Sequence, residues 1–308
     1  MSTTTAARRR IVAVVNAGSG NGNDDALAER LTALFRSAGA DAEIRLVRGA
    51  DLDGAVKAAV ASAPDVIVAG GGDGTVSAVS AAVVGTNIAL GVLPLGTLNH
   101  FAKDLGMPLD VDSAVAVIAT AAVARVDVGE VNGRVFVNNS SLGLYPDIVR
   151  DRERQQRRLG RGKWPALVWA TLAALRRYPF LAVKLSVDGS EHVYRTPFVF
   201  IGNNEYRMEG FAIGERGGLD DGRLSLYIAQ RPGRARLFQL AIRALFGRLR
   251  QARDFQVFRA EEIVVESRHR RLRVATDGEV TMMTPPLRYV VRAASLLVVR
   301  PPPANGSI

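Results

Sequence analysis

The stretch that most constrains this chain is Val66-Ile67-Val68-Ala69 running into Gly70-Gly71-Gly72-Asp73-Gly74-Thr75. Four apolar residues without alternation suit a strand buried on both faces, and a helix is predicted to start at Thr75. Each glycine between them costs about 0.5–1 kcal/mol against alanine where the chain is ordered. A run of them fits a place where backbone must come close to a ligand, and bare N–H groups at a helix N-terminus favour phosphate. Asp73 sharpens the reading. A carboxylate beside phosphates is repelled unless a divalent cation lies between them, and Mg²⁺ is the usual bridge. The plainer alternative is a tight strand-to-helix turn with Asp73 as its cap. Two commoner phosphate loops are excluded. No lysine follows the glycines as a P-loop requires, and the G-x-G-x-x-G spacing would need glycine where Thr75 or, counted from Gly18, Asn23 stands.

The elements around this turn alternate as a parallel α/β domain should. Ile11–Val15 reads as the first strand, followed by the loop from Asn16 to Gly22. A helix over 24–38 puts Leu27, Leu31, Leu34 and Phe35 on one face, and Gly39 stops it. Strands over 42–47 and 88–93 and a helix over 51–61 complete the pattern, with Thr97 able to cap a short helix that Gly106 and Pro108 end. Loops at 16–22, 70–75 and 94–97 each follow a strand's C-terminal end, the edge where open parallel sheets bind ligands. After Ala124 the character changes to short β segments. Asn132-Gly133 and Asp188-Gly189 mark hairpins, with strands over 125–131, 134–139, 183–187, 193–202, 224–229, 262–265, 271–275 and 289–299. The expected architecture is therefore an α/β domain over 8–124 and an antiparallel β domain over 125–300.

With 308 residues and 48% hydrophobic content, two globular domains are expected. There is no cysteine, so no disulfide framework, and three histidines do not suggest a zinc cluster. The apolar run behind Arg8-Arg9-Arg10 is too short for a signal peptide. Trp164–Leu175 falls short of the roughly 18 apolar residues a membrane span needs. A cytoplasmic location is expected, with any membrane contact peripheral.

Three ordered segments carry a family resemblance. Gly71-Gly72-Asp73-Gly74-Thr75 resembles the G-G-D-G-T motif of the diacylglycerol kinase catalytic family, bacterial lipid kinases related to sphingosine kinases and more distantly to NAD kinases. Pro94-Leu95-Gly96-Thr97-Leu98-Asn99-His100-Phe101-Ala102 is similar to its P-x-G-T-x-N-D-F-A segment, and Asp277-Gly278-Glu279 to its late D-G-E. The resemblance implies an NAD-kinase-like nucleotide-binding domain, then a β-sandwich-like domain whose last strand returns to the first. It also implies ATP as phosphate donor, Mg²⁺, and a lipid hydroxyl as acceptor, diacylglycerol by default. Nucleotide contacts would come from Asn16, Ser19, Gly20, Gly71, Gly72, Asp73, Gly74, Thr75, Gly96, Thr97 and Asn99. In the first loop Ala17 stands where the family usually has proline. Asp277 and Glu279 are jointly the candidates for the base that takes the acceptor's proton, although Asp-Gly alone is more often a simple hairpin turn. Gly218-Leu219-Asp220-Asp221-Gly222-Arg223-Leu224 resembles the family's x-x-x-D-G-x-L segment. That likeness implies a second Mg²⁺ held by the Asp221 side chain and the carbonyls of Gly218 and Arg223, with Asp73 supporting metal at the nucleotide. His100 departs from the family's aspartate, and a histidine is a poor Mg²⁺ ligand.

A net charge of +10 asks for an anionic partner. Arg150–Lys163 and Arg231–Arg253 each carry seven basic residues, the second interleaved with leucines at a helical period. Either could hold an anionic membrane surface, or be a solvated helix face. Nucleic acid is disfavoured, because few aromatics accompany the arginines. The alternatives to a diacylglycerol kinase are a sphingosine kinase-like or NAD kinase-like enzyme, and a non-catalytic nucleotide- or nucleic-acid-binding protein. A homodimer is left open.

Overall fold

The computed structural model describes residues 9–16, 24–143, 181–207, 215–229 and 255–302. The chain forms two compact units. One holds the residues up to Asp127 with those from Ala294 onward, and the other holds Val128–Ala293.

The first unit follows the strand–helix alternation. Its elements are β1 (Arg10–Asn16), α1 (Asp24–Ser37), β2 (Asp41–Val47), α2 (Leu52–Ala61), β3 (Val66–Gly71), α3 (Asp73–Val83), β4 (Ala89–Pro94), α4 (His100–Asp104) and α5 (Val111–Thr120). The strands lie in the order β2-β1-β3-β4, all parallel. Every residue of β3 and β4 is buried, as expected of central strands covered on both faces. Leu31 and Phe35 of α1 are fully buried against this sheet's layer. The register aligns the strand ends, with Val15 opposite Gly70, Gly70 opposite Leu93 and Gly71 opposite Pro94. The ends of β1, β3 and β4 therefore stand along one edge. β3 runs two residues further than expected, into the glycines, and α3 begins at Asp73 rather than Thr75 with Gly72 as its N-cap.

Strand β5 (Val123–Val131) carries the chain to the second unit, and β18 (Leu287–Val299) brings it back. In the first unit Val298 of β18 pairs with Leu90 in parallel. Asp127 is buried there, and its Oδ1 accepts the N–H of Ala294 at 2.8 Å, where the backbone turns left-handed at φ 49°.

The second unit contains β6 (Arg134–Phe136), β7 (Asn139–Gly143), β8 (Leu181–Val187), β9 (Ser190–Thr196), β10 (Phe198–Asn203), β11 (Tyr206–Arg207) and β12 (Glu215–Arg216). It continues with β13 (Leu224–Ala229), β14 (Phe255–Ala260), β15 (Glu262–Ser267), β16 (Leu272–Thr276) and β17 (Glu279–Met283). Six strands make a sheet in the order β14-β13-β10-β7-β16-β17, and β18-β15-β8-β9 make another run of neighbours. Leu142, Ile201, Leu226 and Val274 from the first set share one core with Leu185, Ile263, Leu287 and Tyr289 from the second. Two sheets burying one common face is the sandwich-like arrangement expected. Two expected strands are each in fact two. The one over 134–139 divides between β6 and β7, which fall in different sheets. The segment over 193–202 breaks at Pro197, which has no N–H to give a ladder, so β9 and β10 fall in different sheets.

Candidate functional site

At the glycine-lined edge of the first unit, two loops touch through their backbones. A Cβ built on Gly96 would lie 2.5 Å from the Gly72 Cα and 2.8 Å from Asn99 Oδ1, closer than atoms can stand. The glycines here are thus required in part by the loops' own contact. Asn99 sits in the left-handed region at φ 50° and folds its amide back over its loop. Its Oδ1 accepts the Gly96 N–H at 3.1 Å, and its Nδ2 donates to the Gly96 carbonyl at 2.8 Å. Asp73 joins the two loops, its Oδ1 accepting the backbone N–H of His100 at 2.9 Å. The carboxylate therefore caps α4, not its own helix. α4 starts at His100 behind Asn99, so Thr97 stays exposed in the loop and does not cap it.

The remaining positions divide by exposure. Thr75 is 3% exposed, packs over Gly71 and donates its N–H to the Gly72 carbonyl at 3.0 Å, so it shapes the turn. Gly74 faces open space, with nothing within 4 Å of where a Cβ would be. The N–H groups of Asp73 and Gly74 make no hydrogen bond among the described residues, as the first turn of a helix leaves them. Asn16 is half-buried at the end of β1. Ser19 and Gly20 lie outside the described residues, as do the basic stretches 150–163 and 231–253.

In the second unit, the two late carboxylates are used differently. Asp277, at φ 49°, turns its carboxylate onto the backbone joining β6 to β7. Oδ2 accepts the N–H of Val137 at 2.9 Å, and Oδ1 accepts those of Asn138 at 2.8 Å and Asn139 at 3.1 Å. Glu279 is exposed, and its Oε2 meets Arg134 Nη2 at 2.5 Å. Arg134 is itself held, its Nε donating to Thr276 Oγ1 at 2.8 Å.

The 218–223 loop belongs to the same polar framework. Arg216 donates to the Val137 carbonyl at 2.7 Å and to Asn138 Oδ1 at 3.1 Å. Asn203 donates its N–H to the Asn138 carbonyl at 2.9 Å and its Nδ2 to the Val137 carbonyl at 3.0 Å. Next to it, Asn204 at φ 66° accepts the Asp221 N–H at 3.1 Å and donates its own N–H to the Arg223 carbonyl at 3.0 Å. A methyl on Gly218 would stand 3.4 Å from Asp221 Oδ1 and 3.5 Å from Asp220 Oδ1, so both carboxylates close on that glycine. Asp221 and Arg223 line a cavity of about 210 Å³ with Ser225 and with Glu205 and Arg259, which form an ion pair. All-oxygen donors on a tight loop fit a hard divalent cation, and the Arg223 carbonyl keeps a second lone pair beyond its bond to Asn204. Among the described residues no cluster of three or more acidic, His or Cys side chains stands ready for a metal, so carbonyls would have to contribute.

Asn138, Asn203, Asn204, Arg216 and Arg134 escaped the sequence reading. Their only local signal is polarity inside β segments. What singles out the three asparagines is burial, with Asn203 and Asn204 both fully buried, and what singles out the two half-buried arginines is partners far along the chain.

Profiles of known families match both halves of the chain. Residues 10–131 match the diacylglycerol kinase catalytic domain, and residues 147–300 match the YegS C-terminal NAD kinase beta sandwich-like domain. A diacylglycerol kinase of Mycobacterium tuberculosis is 29% identical over 302 residues, covering 95% of either chain. A YegS-like lipid kinase of Pseudomonas syringae pv. tomato is 38% identical over 128 residues, 41% of this chain and 40% of its own. A solved structure of a diacylglycerol kinase from Bacillus anthracis superimposes with a TM-score of 0.70 at 20% identity, covering 96% of this chain and 98% of its own, a likeness of fold. With two profiles matched in family order along one chain, and a relative aligned almost end to end, this protein belongs to the diacylglycerol kinase family of lipid kinases.

Proposed function

We propose that this lipid kinase moves the γ-phosphate of ATP, with Mg²⁺, to the free hydroxyl of diacylglycerol, giving phosphatidic acid. The observation that carries the donor half is the glycine-lined edge. Two loops meet at Gly72 and Gly96 without room for a side chain, and the unbonded N–H groups of Asp73 and Gly74 sit at the positive end of α3. On this reading Gly71, Gly72, Gly74, Gly96 and Thr97 are the backbone against which the phosphates lie, with Asn16, Ser19 and Gly20 from the first loop. Thr75 and Asn99 hold those loops in shape. Asp73 keeps Oδ2 without a hydrogen bond among the described residues, which suits a bridging cation. Bound Mg²⁺ would neutralise charge on the transferred phosphate. A second, structural ion would be held by Asp221 and the carbonyls of Gly218 and Arg223.

For the acceptor's proton we assign Glu279. Three backbone N–H groups already occupy the Asp277 carboxylate. Glu279 is exposed, carries one ion pair, and is oriented by Arg134. A general base needs an accessible lone pair within hydrogen-bond reach of the hydroxyl.

The test is radiolabelled transfer from Mg·ATP to a panel of lipids in mixed micelles. Label is expected in diacylglycerol, and removal of Mg²⁺ with a chelator is expected to abolish it. Label in a sphingoid base or in NAD would reassign the acceptor. No transfer to any of them would overturn the proposal.

A further inference from the structure

We propose that the turn between β15 and β16, with the outward face of β17, is a docking surface for an anionic lipid bilayer. Arg268-His269-Arg270-Arg271 fills that turn, and all four side chains are exposed. Arg268, Arg270 and Arg271 make no ion pair or side-chain hydrogen bond among the described residues, and His269 uses only its backbone N–H, to Ser267 Oγ at 3.3 Å. Of the acids on the adjoining strands, Glu279 is paired with Arg134, and the exposed Glu266 stands opposite Lys184 of β8, which is itself paired with Glu191, so one carboxylate stands near three arginines. Cations in succession repel one another, and among the described residues no ion pair neutralises Arg268, Arg270 or Arg271, so a complementary charge from outside the chain suits them.

The apolar half of the surface comes from strand register. In the β16–β17 pair Arg273 faces Met282 and Ala275 faces Val280. Leu272, Val274 and Met283 alternate to the other side, where they pack in the sandwich core. Arg273, Val280 and Met282 therefore share the face turned away from that core. Met282 is 54% exposed and Val280 39%, on the last strand of its sheet.

Arginines beside exposed Met and Val select the partner class. Nucleic acid would engage the guanidinium groups but leave Met282 and Val280 without anything to bury against, and the strip has no Phe, Tyr or Trp to serve as a base-stacking platform. A bilayer serves both, with headgroup phosphates for the arginines and the acyl boundary for the apolar side chains. The inference rests on the lipid-kinase reading for its purpose, since an acceptor that stays in the membrane requires the enzyme to reach it there. It differs from that reading in its residues, none of which is assigned to catalysis.

The test uses the full chain with vesicles of phosphatidylcholine alone or with added phosphatidylglycerol, read by co-sedimentation. Wild type is expected on the anionic vesicles and to be released by rising salt. Arg268→Gln/Arg270→Gln/Arg271→Gln is expected to bind them about a hundredfold more weakly, at about fivefold per arginine. Met282→Ser, which leaves the charge intact, is expected to weaken binding severalfold. Both variants should phosphorylate a water-soluble short-chain diacylglycerol at the wild-type rate. Unchanged vesicle binding in the triple variant would overturn the docking surface whatever the kinase assay shows. So would loss of short-chain activity in it, which would place the arginines at the acceptor site, and so would arginine-dependent binding to duplex DNA with none to vesicles. Arginine-dependent vesicle binding by a wild type that phosphorylates no lipid, short-chain or membrane-bound, would support the surface and sink the enzymatic reading instead.

Discussion

At the scale of single residues, Asp277 and Glu279 lie two positions apart and do different work. The first holds three backbone N–H groups between β6 and β7, while the second stands in solvent on one arginine. Replacing Asp277 by Asn turns an amide donor toward one of those N–H groups and is expected to cost about 1–3 kcal/mol of stability. Glu279→Gln loses only an exposed ion pair, worth about 0–1 kcal/mol, yet should slow phosphoryl transfer about 10²–10⁴-fold if it is the base. Denaturant unfolding alongside steady-state kinetics on both variants checks this. Equal stability loss with equal activity loss would reverse the assignment. That split could not be read from Asp-Gly-Glu, because the atoms that claim Asp277 lie some 140 positions earlier in the chain.

At the scale of elements, the strand-to-helix turn was legible because its signal is local. A contiguous apolar strand, a glycine run and a helix start all fall within ten residues. Which glycine does what was not legible, since that depends on the loop after β4. Gly96→Ala would drive a methyl into the Gly72 backbone and is expected to destabilise the first unit by about 1–3 kcal/mol. Gly74→Ala meets open space within α3 and should leave the fold as stable or stabilise it by up to about 1 kcal/mol. The same methyl would stand where the nucleotide is proposed, so ATP affinity should fall. Thermal unfolding with and without nucleotide separates the two. A Gly74→Ala variant that binds ATP normally would move the phosphate site away from the N-terminus of α3. Elsewhere Pro197 shows the limit of pattern reading. Strand-forming residues run on both sides of it, but the missing N–H lets the chain leave one sheet and enter another.

At the scale of the molecule, the core of the β unit predicts how stability depends on pH. Burial pushes the phenols of Tyr289 and Tyr227 above the ordinary 10.0, and the hydrogen bonds to Ser140 and to the Tyr206 backbone only partly offset this. The native state therefore keeps protons that the unfolded chain releases first. Their contribution is fully present below pH 10 and is lost as pH rises beyond it, by up to about 1.4 kcal/mol per pH unit for each tyrosine. Tyr289→Phe should flatten this alkaline slope by one tyrosine's share, and urea unfolding across that range measures it. An unchanged slope would mean the phenol is not held in the core. The strand–helix alternation up to β4 and the α/β-then-β architecture were determined by sequence alone, through apolar periodicity and turn residues whose physics acts within a few positions, whereas α5, β14 and β17 were not among the expected elements. Tertiary structure decided what long-range pairing decides: the Gly72–Gly96 contact, the capture of Asp277, the Asn138–Asn203–Asn204 framework, and the register that sets Met282 beside Arg273. Hydrogen bonds and strand register join residues far apart in the chain, and no local pattern records which partner each will meet.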